Sequence, residues 1–217
     1  NSTEGAVGRT MDLLLGTPLR ICGEVVLRIH QNLLSNESDL NRISKVYSHA
    51  QSLAQCHEWL NRMLPKAQRI SVGSNAQAAQ NAAVEAGTAA IAGEAAAARY
   101  NLPKLVENIE DEPNNTTRFL VLGKHDAGVS GRDKTSLIMS APNRTGALHE
   151  LLLPLSTAGV SMCRLESRPA RNVLWEYVFY VDIEGHRDDP AVKAALEKLA
   201  GHAAYLKILG SYPVAVY

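Results

Sequence analysis

The sequence predicts an α/β chain in two parts: mixed strands and helices over residues 1–123, then a strand-helix-strand-strand-helix-strand order over residues 134–217. Three observations carry this. Short apolar runs alternate with stretches of helical period as far as Gly123. Residues 124–133 hold glycines among mixed charges, the composition of a linker. Beyond them Trp175, Tyr177, Phe179, Val181 and Ile183 alternate along one face, a strong period-two signal flanked by two helical stripes.

In the first part, residues 20–34 are rich in β-branched residues and leucine and read as extended chain. Residues 48–63 read as one helix, with Leu53, Cys56, Leu60 and Met63 on a single face. Residues 70–72 are a short strand. The alanine-rich stretch 75–99, broken at Gly87 and Gly93, reads as helix, strand 89–92 and helix, since alanine favours helix and lets elements pack closely. Residues 105–109 and 117–122 are strands on either side of the Asp111-Glu112-Pro113-Asn114 turn. In the second part, 137–141 is a strand. A helix follows with Leu148, Leu151, Leu152 and Leu155 as its stripe, and 160–167 is the next strand. After the alternating run, a helix begins with Asp189 as N-cap and Pro190 at its first position. It carries Val192, Ala195, Leu196 and Leu199 inward and stops at Gly201, and a last strand covers 205–210. That order is the ferredoxin-like split arrangement.

Composition narrows the function. The 217 residues are 46% hydrophobic and 20% charged, ordinary for a globular chain long enough for two modest domains. Lys plus Arg equals Asp plus Glu at 22 each, so no general attraction to nucleic acid or an anionic membrane is expected and any anion site must be local. No apolar run approaches the roughly 20 residues that span a bilayer, and the first residues are no secretory signal, so a cytoplasmic address is expected. Cys22, Cys56 and Cys163 are odd in number and far apart, which predicts reduced thiols packed in cores. His49 and His57 lack partners at metal spacing, so no metal site is expected.

Ser48-His49-Ala50-Gln51 and Ser74-Asn75-Ala76-Gln77 both fit the Ser-x-x-Gln capping box. Each serine can simply cap its helix; the same geometry also leaves free N–H groups and the positive dipole end facing an anion, and both can hold at once. Gln55 lies two turns beyond Ser48 on the same side. Arg118 has two readings, a fork for a carboxylate ligand or a structural ion pair. Gly146 opens the helix that begins Ala147-Leu148-His149, where backbone N–H groups could take a carboxylate and the missing side chain permits close approach.

Together these segments resemble a known family. Asn114-Asn115-Thr116-Thr117-Arg118-Phe119, the run from Ser48 through Gln55-Cys56, the opening pair Asn1-Ser2, then Gly146-Ala147-Leu148 and Glu166-Ser167-Arg168-Pro169 are similar to prephenate dehydratase followed by its amino-acid-sensing ACT domain. Ala50 stands where proline is common, and His149 where valine is common. The resemblance implies a two-lobed, periplasmic-binding-protein-like catalytic domain over residues 1–123, a linker over 124–133 and an ACT domain over 134–217. The catalytic domain is expected to be incomplete at its N-terminus, because the chain starts inside a motif that the family precedes with a further segment.

The implied activity is cofactor-free conversion of prephenate to phenylpyruvate, with Thr117 as donor to the departing hydroxyl. Asn1, Ser2, Ser48, Gln55, Ser74, Arg118 and Phe119 are the expected substrate-binding residues. L-phenylalanine, the expected effector, would bind at Gly146, Ala147, Leu148, Glu166, Ser167, Arg168 and Pro169 of a homodimer or homotetramer. Arogenate as substrate, a non-catalytic amino-acid sensor, and a chorismate mutase ahead of these residues remain open on sequence.

Overall fold

The computed structural model describes residues 7–170 and 177–216; Asn1, Ser2 and Trp175 lie outside the described residues. The chain divides into two compact units. One is Leu27–Thr117. The other joins residues 7–26 with those from Arg118 onward. Among the described residues no helix is long and apolar enough to cross a membrane.

The first unit is a three-layer α/β arrangement. Strands β2 (Asn32–Leu34), β3 (Lys45–Ser48), β4 (Gln68–Ser71), β5 (Thr88–Ala92) and β6 (Lys104–Val106) form a sheet in the order β4-β3-β5-β2-β6. β3 is parallel to both β4 and β5, whereas β2 is antiparallel to β5 and β6. The pleat sends alternate residues to opposite faces. Leu33, Val46, Ala89 and Ile91 meet Cys56 and Leu60 from helices α2 (Ala50–Gln55) and α3 (His57–Met63) and their junction. Leu34, Tyr47, Ala90 and Ala92 meet Ala78, Ala79, Ala82 and Ala97 from α4 (Asn75–Val84) and α5 (Glu94–Tyr100). β5 is buried along its whole length, as a strand covered on both faces must be.

In the second unit, β8 (Asp133–Ser140), β9 (Met162–Pro169), β10 (Tyr177–Glu184) and β11 (Tyr205–Pro213) form an antiparallel sheet ordered β11-β8-β10-β9. With α6 (Ala147–Thr157) and α7 (Pro190–His202) this is the expected βαββαβ arrangement. Leu137, Met139, Val181 and Ile183 face Leu151, Leu155, Val192, Ala195, Leu196 and Leu199 of the two helices. The other sheet face carries Ile138, Val178, Tyr180, Leu209 and Tyr212. It packs on Met11 and Leu14 of α1 (Gly8–Gly16) and Ile21 of β1 (Arg20–Arg28), which pairs with β7 (Thr116–Gly123). At Gly210, where the β11 register shifts, a Cβ would lie 2.1 Å from the Ile21 carbonyl oxygen, so only glycine admits that strand.

Several elements differ from the sequence reading. The helix expected over 48–63 is two short helices broken at Cys56, and its first residue, Ser48, ends β3, a strand the periodicity did not reveal. The strands on either side of the Asp111 turn do not pair with each other: β6 joins β2 and β7 joins β1. α7 runs through Gly201 to His202. The two compact units part within β1 and β7, and α1 packs with the C-terminal sheet. Of the three thiols only Cys56 is buried; Cys22 is half-buried and Cys163 exposed.

Candidate active site and sensing site

In the first unit the parallel strands β3, β4 and β5 all lead from their carboxyl ends into helix starts, which is where open α/β sheets hold ligands. Ser74 is the N-cap of α4: its Oγ accepts from Gln77 N at 3.1 Å, while Gln77 Oε1 accepts from Gly73 N at 3.0 Å. The serine cap matches expectation, while the Gln77 side chain reaches back one residue further, to Gly73 rather than to Ser74 itself. Ser48 makes no such cap. It is fully buried, with Oγ 2.7 Å from the Ile91 carbonyl oxygen and 3.0 Å from Asn75 Oδ1, and His49 caps α2 instead through Nδ1, 3.3 Å from Gln51 N. The reason is register: β3 continues one residue further than a cap at Ser48 requires, and its parallel neighbour β5 presents Ile91 beside the hydroxyl.

A connected polar cluster lies behind these helix starts. Asn75 Oδ1 accepts from His49 N at 3.1 Å, and Asn75 Nδ2 donates to Ser52 Oγ at 2.9 Å. Ser52 Oγ also accepts from Gln31 Nε2 at 3.2 Å, and the same Nε2 lies 3.1 Å from Gln55 Oε1. The cluster thus joins Ser48 to Gln55 and, through Asn75, to the Ser74 cap. Gln31, Ser52 and Asn75 were not singled out on sequence. Ser52 had a signal, lying three residues before Gln55 on one face of α2. Gln31 had none, since its partners come from across the sheet.

The segment before Thr117 is fixed against the same region. Asp111 N donates to the Gln55 carbonyl at 2.8 Å, and the Asp111 carboxylate accepts from Glu58 N and Trp59 N, both at 2.9 Å, capping α3. The Asn115 carbonyl accepts from Ile29 N at 2.9 Å, and Glu110 accepts from Gln31 N at 2.9 Å. Thr117 follows two residues later, half-buried in β7. Adjacent strand residues point to opposite faces, so Thr117 and Arg118 are directed apart. The Arg118 guanidinium donates to Glu24, Asp182 and Tyr212, each at 2.5 Å, so its fork is filled by the second unit's own groups. Burial opposes its charge, but Asp182, Tyr212 and Glu24 outweigh that and hold the guanidinium firmly protonated. Of the two sequence readings of Arg118, the structural ion pair is the one present. Phe119 is half exposed.

In the second unit Gly146, with φ of 78°, is the N-cap of α6. Beside it a cavity of about 160 Å³ is lined by Pro142, Asn143, Ala147, Leu148, Tyr177 and Phe179, among others. Ser167 pairs with Phe179 and Pro169 with Tyr177, so these two share the cavity's side of the sheet. Glu166 and Arg168 pair with Tyr180 and Val178 and face the other way. Arg168 there lies 3.3 Å from Asp12 of α1, and Glu166 accepts from Arg164 at 2.6 Å. The pleat therefore splits the four-residue motif between two faces. No group of His, Cys, Asp and Glu among the described residues could hold a metal ion.

The family model for prephenate dehydratase matches residues 1–127, more than half of the chain. The chain belongs to the prephenate dehydratase family. The ACT domain model follows at residues 135–201. The bifunctional chorismate mutase/prephenate dehydratase of Neisseria gonorrhoeae is 60% identical across the whole chain, which spans 60% of that relative's length. A crystal structure of prephenate dehydratase from Arthrobacter aurescens in complex with L-Phe superposes with a TM-score of 0.86 at 33% identity, over 98% of this chain and 72% of that one. Another solved chain, described as GqqA, a novel type of quorum quenching acylase, is 30% identical with a TM-score of 0.84, over 99% of this chain and 79% of that one. Likeness in this family therefore extends to a protein with a different stated activity, and chemistry has to be argued from the residues.

Proposed function

We propose that this chain carries the decarboxylating dehydration of prephenate to phenylpyruvate, restrained by L-phenylalanine at its ACT domain. In that reaction the ring carbon–carboxylate bond breaks, its electron pair moves through the ring, and the opposite carbon–oxygen bond breaks as the hydroxyl leaves. Carbon dioxide and water depart and the ring becomes aromatic. The protein must assist the hydroxyl and hold two carboxylates; positioned proton donation contributes about 10²- to 10⁴-fold. Thr117 is assigned to the hydroxyl. Gln55 and the Ser74-capped start of α4 are assigned to the carboxylates, as hydrogen-bond donors and the positive end of a helix dipole. Arg118 is assigned to anchoring β7, and so to fixing where Thr117 stands. Asn1 and Ser2, outside the described residues, keep the substrate-binding role that the motif match gives them.

The observation that carries the reading is the polar cluster itself. Ser48 and Gln55, the two residues of the helical motif matched to the family, are joined in one hydrogen-bonded group at the carboxyl ends of parallel strands. In the intact protein, Thr117→Val is expected to lower kcat by about 10²- to 10⁴-fold with an unchanged melting temperature. Turnover near wild type would remove Thr117 from the chemistry. Parallel kinetics on arogenate decide which side chain the site prefers.

For the effector, the ring of L-phenylalanine is assigned to the cavity between Leu148, Tyr177 and Phe179, and its carboxylate to the α6 N-terminus. Inhibition then requires tighter binding to the less active state. The assembly is assigned as a homodimer or homotetramer, and the location as cytoplasmic. Calorimetry showing no heat of L-phenylalanine binding to the intact oligomer would remove the sensing role.

A further inference from the structure

We propose that Gln31 is a positioning residue of the dehydratase site, which sets the polarity of the Gln55 amide so that its NH₂ group, rather than its carbonyl, is offered to a substrate carboxylate. The role presupposes the prephenate reading. The polarity starts from a donor that cannot be reversed, the backbone N–H of His49, which faces Asn75 Oδ1 at 3.1 Å and fixes that amide. Asn75 Nδ2 therefore faces Ser52 Oγ at 2.9 Å, and the Ser52 proton returns to Asn75 Oδ1 at 3.2 Å. With its proton used there, Ser52 can only accept from Gln31, so Gln31 turns Nε2 inward, 3.2 Å from Ser52 Oγ and 3.1 Å from Gln55 Oε1. The Gln55 carbonyl is thereby occupied, and the end left over is its pair of N–H donors.

A second observation is independent of that chain of donors. Gln31 is only 4% exposed, yet its Oε1 has no hydrogen-bond partner among the described residues. Turning the amide over would only strand Nε2 in its place. A buried amide with one end unpartnered is costly and needs an explanation. Holding Gln55 in a defined orientation supplies one. Gln31 is also fixed from its backbone, with its N–H given to Glu110 Oε2 at 2.9 Å and its carbonyl taken by Ile109 N at 2.8 Å, so the side chain starts from a rigid point.

The test is a double-mutant cycle on the intact protein with prephenate. Gln31→Leu is expected to raise KM about tenfold, the worth of one hydrogen bond to a charged group, with kcat within about twofold of wild type. Gln55→Leu should raise KM at least as much, and adding Gln31→Leu to it should cause no further change, because Gln31 acts only through Gln55. Gln31→Glu provides a second readout. Its carboxylate accepts only, which reverses the Gln55 amide, and KM should recover as the pH is lowered and the new side chain regains a proton to donate. Unchanged KM in Gln31→Leu, additive effects in the double variant, or a KM in Gln31→Glu with the pH profile of wild type would overturn the role. Absence of prephenate turnover by the wild-type protein would instead overturn the dehydratase reading beneath it.

Discussion

At the scale of single residues, Arg118 shows how a motif residue serves a purpose its neighbours do not announce. Thr-Arg-Phe is visible in the sequence, but the groups that take the guanidinium, Glu24, Asp182 and Tyr212, stand 94, 64 and 94 positions away. No local pattern could have paired them. Glu24 has a fully buried side chain and is held additionally by Lys134 at 3.0 Å and Ala215 N at 3.0 Å. Removing Arg118 leaves two carboxylates with less compensation, and unpaired interior charge costs roughly 3–5 kcal/mol. Arg118→Ala is therefore expected to lower stability by about that amount in urea unfolding, whereas Arg118→Lys, which keeps charge but loses the fork, should lose less. Acid acts on the same cluster. Burial pushes the Glu24 pKa up, but the Ala215 N–H, Lys134 and Arg118 together bring it below the ordinary 4.5. A carboxyl whose folded value is lowered contributes stability above the unfolded value and loses it as pH falls through the folded one. Denaturation midpoints should therefore fall below about pH 4.5, and Glu24→Gln should flatten that limb while lowering the neutral-pH plateau.

At the scale of elements, legibility followed locality. The alanine-rich helix, strand and helix of residues 75–99 were readable because propensity, the two glycine breaks and the Ser74 cap all sit within the segment itself. The ACT strands and helices were readable because periods of two and of three to four run cleanly through them. β3 was not, since a four-residue strand with parallel partners on both sides carries too short a pattern to distinguish from the helix after it. The break at Cys56 was hidden for a different reason. α3 gets its N-terminal cap from Asp111, which lies far along the chain, so nothing beside His57 marks a helix start. For the candidate site, this meant Ser74 and Gln55 were candidates from local rules, while Gln31 and Asn75 joined the candidates only when the sheet brought them together. Asp111→Ala should strand two backbone N–H groups and cost about 1–2 kcal/mol, the usual penalty for a lost cap. Circular dichroism melts of the variant against wild type measure it, and an unchanged melt would mean that water satisfies those donors equally well.

At the scale of the whole molecule, the division into units does not follow the order of the chain. One matched family model ends at residue 127 and the other begins at residue 135, yet α1 and the first part of β1, far upstream, pack on the sheet formed by β8 to β11. The packing is chemical as well as apolar. The Tyr180 hydroxyl donates to the Met11 carbonyl at 2.7 Å, and Lys207 Nζ donates to the carbonyls of Leu14, Leu15 and Thr17 at 2.8–2.9 Å, a cation at the negative end of α1. Burial holds the Lys207 pKa down, with the nearby Arg20 adding to the effect. A fragment of residues 124–217 would carry the complete βαββαβ order but expose Ile138, Val178, Tyr180, Leu209 and Tyr212 on one sheet face. A contiguous apolar face of that kind drives association rather than independent folding. The fragment is expected to bind a hydrophobic dye, sediment as aggregates and melt without a cooperative transition, while the 217-residue chain does none of these. A soluble fragment with a sharp melt and no dye binding would show that the sheet and its two helices suffice, and that α1 only rests on a domain already stable without it.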